Sequence, residues 1–293
     1  MRAAGGTLLS LLNGNSVYLM AEVFTVTLQN ATVYRWTSAD LNVAVGGNTF
    51  LSSSDNSAAV PGIRRGSIRH ARGLEVQTLD LTLYAGSNVL VSGISLPLFA
   101  HNGGFDGATV KVERVFFANG SFGDTSAGTM VLFEGIVSDV EPETTKVSLK
   151  VKSDLERLNL NMPRVLFQPA CTNVLGDAGC GVNLATYTVA GTATGVPTTT
   201  TVPSALAQAA GYFSLGILTM TSGASAGARR AVSAFSGGLL TLATPLPQAP
   251  AAGDTFTVSP GCDRTTGATG CAKYSNLNRY RGCPYVPPPE TTR

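Results

Sequence analysis

The sequence predicts a mainly β protein, built as several small β-barrel or sandwich domains with short helices and a cysteine-clustered C-terminal lobe. Three observations point there. Charged residues make up 13% of the 293-residue chain, against a usual share near about 25%. Gly (33), Thr (33) and Ser (24) fill the gap, while Lys (5) and Glu (8), which favour solvated helices, are scarce. Short apolar runs recur between turn residues, the layout of small sheets.

Residues 7–12 read as a short amphipathic helix. Strand-like runs follow at 17–28, 32–36 and 41–45, with Gly46-Gly47 as a turn before Asn48-Thr49-Phe50 and a polar loop at 52–57. Residues 74–84 form a strand with Leu79, Leu81 and Leu83 on one face. Residues 88–100 suggest a short helix ended by Pro97. Residues 110–117 and 130–140 pair as a hairpin, with Asn119-Gly120 as a turn signal in the connection. Along 146–152, Val147, Leu149 and Val151 point inward and the lysines outward. Ser153-Asp154-Leu155-Glu156 has capping-box spacing and starts a short helix.

After Cys180 the composition changes. Residues 187–258 hold only Arg229, Arg230 and Asp254 as charges, with strand candidates at 212–220, 230–235, 239–243 and 255–258. That regular spacing is the mark of a small sandwich or barrel. Residues 191–201 (GTATGVPTTTT) read as a low-complexity loop or linker, and the proline-rich tail 284–293 as extended. The chain therefore divides into a β-rich region at 1–165, a cysteine lobe made of 166–186 plus 259–293, and an inserted β domain at 187–258.

Several function classes fall away on composition. Hydrophobic content of 44% excludes a disordered chain, and a net charge of +2 excludes a polybasic or strongly acidic nucleic-acid binder. The apolar run 8–12 is too short for a signal sequence, and no window spans a membrane. The expectation is a chain made in a cytosol without a cleaved leader. Disulfides are then a poor default for its five cysteines, and the sequons at Asn30 and Asn119 carry no meaning.

The cysteines carry the strongest pattern. Cys171 and Cys180 enclose eight residues, Cys262 and Cys271 enclose eight more, and Cys283 follows after eleven. Thiolates from two loops can surround a soft metal centre. Zinc knuckles use shorter spacings, whereas iron–sulfur clusters accept varied ones. By spacing alone, a cluster, a zinc ion and buried free thiols all stay open.

The stretches Pro169-Ala170-Cys171 and Leu175-Gly176-Asp177-Ala178-Gly179-Cys180-Gly181-Val182-Asn183-Leu184 resemble a segment of a phage tail family. Gly261-Cys262-Asp263-Arg264, Cys271-Ala272-Lys273-Tyr274, Asn276 and Tyr280-Arg281-Gly282-Cys283-Pro284-Tyr285-Val286-Pro287 are similar to the same family's C-terminal signature. It is the tail-tip (baseplate) hub family of long-tailed phages and gene-transfer agents, akin to the tail-tip protein L of lambda-like phages. The resemblance implies a non-enzymatic virion protein at the tail tip, assembled in the host cytoplasm. It implies a homotrimeric ring of small β-barrels around the DNA exit path, working with the distal tail, tape-measure and central fibre or spike proteins. It also implies a [4Fe–4S] cluster on Cys171, Cys180, Cys262 and Cys271; zinc stays the alternative metal that the cysteines themselves leave open. Cys283 stands where the family has an aromatic, so it is the spare thiol or a substitute ligand.

Other signals weigh less. Gly223-Ala224-Ser225-Ala226-Gly227 matches a nucleophile elbow, but both histidines, His70 and His101, precede it and its flanks read as a hairpin loop. Glu141 and Glu143 flank Pro142 and read as a turn rather than a catalytic pair. Arg64, Arg65, Arg69 and Arg72 with His70 form one dense basic cluster, read as a loop between strands or a subunit interface, or as a contact for DNA in the tail lumen. An envelope-degrading or redox enzyme of the tail is the rival class, and a glycan-binding adhesin is disfavoured by the single Trp36.

Overall fold

The alternating run Lys146–Ser153 forms a strand that buries Val147, Leu149 and Val151, because period-two spacing sends alternate side chains to one face. It lies in the first of two compact units, Met1–Leu160 and Asn161–Arg293. The computed structural model describes residues 5–14, 18–55, 60–68, 75–86, 89–118, 122–159 and 167–286.

In the first unit, helix α1 (Gly6–Gly14) precedes strands β1 (Met20–Thr27), β2 (Val33–Thr37), β3 (Val43–Val45), β4 (Asn48–Ser52), β5 (Gly62–Arg65) and β6 (Thr78–Tyr84). A small hairpin, β7 (Leu90–Val91) and β8 (Ile94–Ser95), leads into α2 (Leu96–His101). Three long strands follow: β9 (Thr109–Phe116), β10 (Thr129–Pro142) and β11 (Lys146–Ser153). Nine strands pair in the order β3-β4-β2-β1-β9-β10-β11-β6-β5. The sheet curls instead of lying flat. β10 is irregular between Val131 and Phe133 and again between Val137 and Asp139, and bulges bend a strand and increase its twist. Inside the curl, Phe24, Val26, Leu79, Leu81, Leu83, Val110 and Val112 share one core with the hairpin and α2.

At one end of that core sits Glu22, on the same face of β1 as Phe24 and Val26. Its carboxylate accepts from Arg65 Nε of β5 at 2.6 Å and from Arg114 Nη2 of β9 at 2.7 Å. Since β5 is the end strand of the sheet, this ion pair brings the sheet's far end back onto β1.

The second unit holds β12 (Val189–Thr192), β13 (Thr201–Pro203), β14 (Ile217–Met220), β15 (Arg229–Ser236), β16 (Leu239–Leu242) and β17 (Thr255–Ser259). They pair in the order β12-β17-β14-β15-β16-β13. The two end strands meet through a bridge between Ala193 and Ser204, so the sheet closes on itself as a small barrel. Phe213, Leu218, Met220, Val232, Leu240, Phe256 and Val258 are buried within this unit. The protein is thus mainly β with a few short helices.

The sequence expectations need correction at five places. Pro97 opens α2 rather than ending it, since a proline in the first turn forfeits no intrahelical bond. Arg64 and Arg65 lie in strand β5, not in a loop; Arg69, His70 and Arg72 fall outside the described residues. Of the stretch 191–201 read as a low-complexity loop or linker, Gly191 and Thr192 end β12 and Thr201 opens β13, while the residues between them form the connecting loop. The strand expected at 212–220 begins only at Ile217, because Gly211, Leu215 and their neighbours form turns with φ of +78° and +60°. Glu141 and Pro142 end β10, and the turn proper runs from Glu143 to Lys146, closed by their ion pair at 3.0 Å. The Asn119-Gly120 turn signal lies outside the described residues.

Candidate functional site

Each pair of cysteines sits on a loop folded around an aspartate. In the first loop, Asp177 accepts from the Val174 N–H at 2.8 Å and the Cys180 N–H at 2.5 Å. The Cys180 N–H first, then that of Val174, holds its carboxyl below the ordinary value, as expected when amides solvate a carboxylate. In the second loop, Asp263 accepts from the Thr265 N–H at 2.9 Å and from the hydroxyls of Thr265 and Thr269. Burial alone would raise its carboxyl, yet these donors bring it below the ordinary value. The loops join directly, the Cys171 N–H donating to Arg264 O at 2.9 Å; within the second loop the Cys271 N–H donates to Thr265 O at 2.9 Å.

A third segment, residues 276–283, lies along the first loop. Asn173 Nδ2 donates to Arg279 O at 3.1 Å, Arg279 Nη1 to Ala178 O at 3.3 Å, and the Cys283 N–H to Gln168 O at 2.8 Å. The Tyr280 hydroxyl donates to Pro169 O. Lys273 and Tyr274 secure the approach to Cys262. The Lys273 ammonium donates to Tyr212 O at 3.0 Å and Gly261 O at 2.9 Å, while the Tyr274 hydroxyl reaches Pro260 O and Gly261 O at 3.0 Å. Burial pushes the Tyr274 phenol well up and the Lys273 ammonium down.

Cys171, Cys180, Cys262 and Cys271 all line one cavity of about 240 Å³. Cys171 and Cys271 are buried, and Cys180 and Cys262 are half-buried. Three sulfurs receive an N–H: Cys171 from Arg281 N at 3.4 Å, Cys262 from Arg264 N at 3.4 Å, and Cys180 from Asn276 Nδ2 at 3.6 Å. Burial raises the Cys271 thiol, and the neighbouring Cys262, Cys171 and Cys180 raise it further. A lone zinc ion needs its sulfurs at about 2.3 Å, and among the described residues no three His, Cys, Asp or Glu side chains are grouped closely enough to hold one ion. Four cysteine sulfurs lining one cavity are the donor type that soft metal centres take, zinc and iron–sulfur clusters alike.

Cys283 is half-buried and is not among the residues lining this cavity. Ser225 of the elbow-like pentapeptide is buried in the turn between β14 and β15, where its hydroxyl donates to Gln248 O at 2.7 Å; it is engaged in structure. His101 ends α2. Of the basic cluster, Arg65 is committed to Glu22. The chemical roles of Lys273, Tyr274 and Asn276 escaped the sequence reading, because nothing in their spacing marks a carbonyl clamp or a sulfur donor.

Residues 6–183 match the family described as baseplate hub protein, N-terminal attachment domain. Residues 211–290 match a second family, described as phage conserved hypothetical protein BR0599. No curated protein matches the chain. Among solved structures, the chain is similar to one in the virion of a native gene transfer agent particle. The TM-score is 0.67 with 23% identity, over 98% of this chain and 94% of that one. At that identity the likeness speaks for the fold.

Proposed function

Because this chain belongs to the baseplate hub protein family, whose attachment domain spans residues 6–183, we propose that it joins the tail tube and distal tail ring to the central fibre or spike. It is a structural protein of the phage tail baseplate. In the proposed assembly three copies form a ring that lines or closes the DNA exit path, in contact with the tape-measure and distal tail proteins. The observation that carries this reading is the family match over residues 6–183. The virion fold likeness over nearly the whole chain supports it.

The four cavity cysteines would hold a [4Fe–4S] cluster in a stabilising role, with Cys283 left over. When bound, such a group supplies iron–thiolate bonds that cross-link four points of the chain. The chain's own residues prepare the site: Asp177 and Asp263 fold the two loops, Lys273 and Tyr274 fix Pro260 and Gly261, and segment 276–283 ties the first loop down. Cys180 and Cys262 are 82 residues apart. A link between them closes the inserted barrel at its base, and chain-entropy arithmetic for a loop of that length gives on the order of 4 kcal/mol.

Immunogold labelling of intact particles tests the assignment. Label confined to the tail tip is expected; label on heads, or only on free protein in the lysate, overturns it. For the cluster, anaerobically purified protein should be brown, with about four irons and four labile sulfides per chain. Colourless protein carrying stoichiometric zinc would overturn the cluster and favour a zinc staple.

A further inference from the structure

We infer that Asn276 is the positioning residue of the cysteine site: it holds Cys180 in register with Cys271 and donates an N–H to the Cys180 sulfur. The inference rests on reading the four cavity cysteines as the ligands of a cluster.

Asn276 touches two of the four cysteines at once. Its backbone N–H donates to Cys271 O at 3.1 Å, anchoring it to the loop that carries Cys271. Its side chain reaches a residue 96 positions earlier, where Nδ2 donates to Cys180 O at 2.8 Å and to Cys180 Sγ at 3.6 Å. A side-chain amide has two N–H bonds on one nitrogen, so both acceptors can be served together. Its placement follows from the chain just before it. Residues Cys271–Tyr274 form one 3-10 turn, and Ser275 ends it in the left-handed region at φ +51°. That reversal turns the next residue back toward the first loop.

Other sulfur contacts in the cavity come from backbone amides, those of Arg264 and Arg281. Asn276 supplies its donor from a side chain, and from across the gap between the two loops. Two consequences follow. The separation of Cys180 and Cys271 is set through one amide, so its loss should loosen the hold on metal. An N–H aimed at a ligand sulfur also stabilises negative charge there and favours the reduced state, so its loss should lower the reduction potential.

The test compares wild type, Asn276→Leu and the near-isosteric Asn276→Asp, purified anaerobically as full chains. Iron release to a chelator and the reduction potential, followed by electron paramagnetic resonance, are read side by side. Both variants should release iron about tenfold faster than wild type, the lower end of what loss of an outer-shell partner costs. Both should titrate at a more negative potential, with Asn276→Asp lower because it adds a charge. Iron-loaded variants that match wild type in both readouts overturn the inference alone. Faster release with an unmoved potential overturns the sulfur-donor role. Wild-type protein that binds no iron overturns the cluster reading and the inference with it. If Asn276→Leu fails to fold, Asn276→Asp still decides positioning through iron release, and the charge-free Asn276→Ala decides the sulfur-donor role through the potential.

Discussion

Glu22 holds the end strand of the first unit against β1, and its carboxyl lies below the ordinary value of 4.5. Burial pushes it up, but the guanidinium of Arg65, then that of Arg114, outweighs burial. A carboxylate depressed on folding contributes stability that is fully present above its unfolded value and is lost as pH falls through the folded one. Glu22→Gln should therefore cost about 2 kcal/mol at neutral pH, the scale of a hydrogen-bonded charge. It should also flatten the loss of stability below about pH 4.5; thermal melts between neutral and acid pH check both effects. The partner of Glu22 was not legible in the sequence: Arg65 lies 43 residues away, inside an arginine-rich stretch without clear alternation. For the thiols, Cys171→Ser, Cys180→Ser, Cys262→Ser and Cys271→Ser should each lower iron content, while Cys283→Ser keeps it. Iron loss in the Cys283 variant alone would reassign the ligand set.

Between barrel and cysteine segment, the start of β14 and the end of β17 pass in backbone contact. A Cβ on Gly216 would lie 1.9 Å from Ser259 O, and one on Gly261 would lie 2.1 Å from the Leu215 carbonyl carbon. Neither neighbour is a flexible side chain that could step aside. Gly261→Ala should thus destabilise the second unit by about 3 kcal/mol, as overpacking does, and move Cys262 enough to reduce iron uptake. Gly267→Ala is the control, since its Cβ meets only Thr265 Oγ1 at 3.4 Å; equal melting shifts for the two variants would refute the contact. At this scale β11 and β6 were readable in advance, because strict alternation buries Val147, Leu149 and Val151 opposite Leu83, Leu81 and Leu79. β12 was hidden. Threonine and glycine without alternation look like a linker, and only pairing to β17 makes Val189–Thr192 a strand.

Across the whole chain, the cysteine link should stabilise one unit selectively. Removing iron should speed hydrogen exchange in residues 167–183 and 259–283 while β9, β10 and β11 keep their protection; uniform loss of protection would contradict a local clip. Low charge and abundant threonine foretold sheets, since such residues suit a pleated surface and seldom build solvated helices. The paired cysteine spacings and their flanking motifs, read in the chain alone, also pointed to the baseplate hub family. These features are local, carried by composition, by period and by neighbours in sequence. Tertiary structure alone decided that the second sheet closes through Ala193 and Ser204 and that Glu22 gathers arginines from two strands. It alone decided that Asn276 reaches Cys180. Each of these joins residues whose separation in sequence carries no periodic signal, so only the packed chain brings them together.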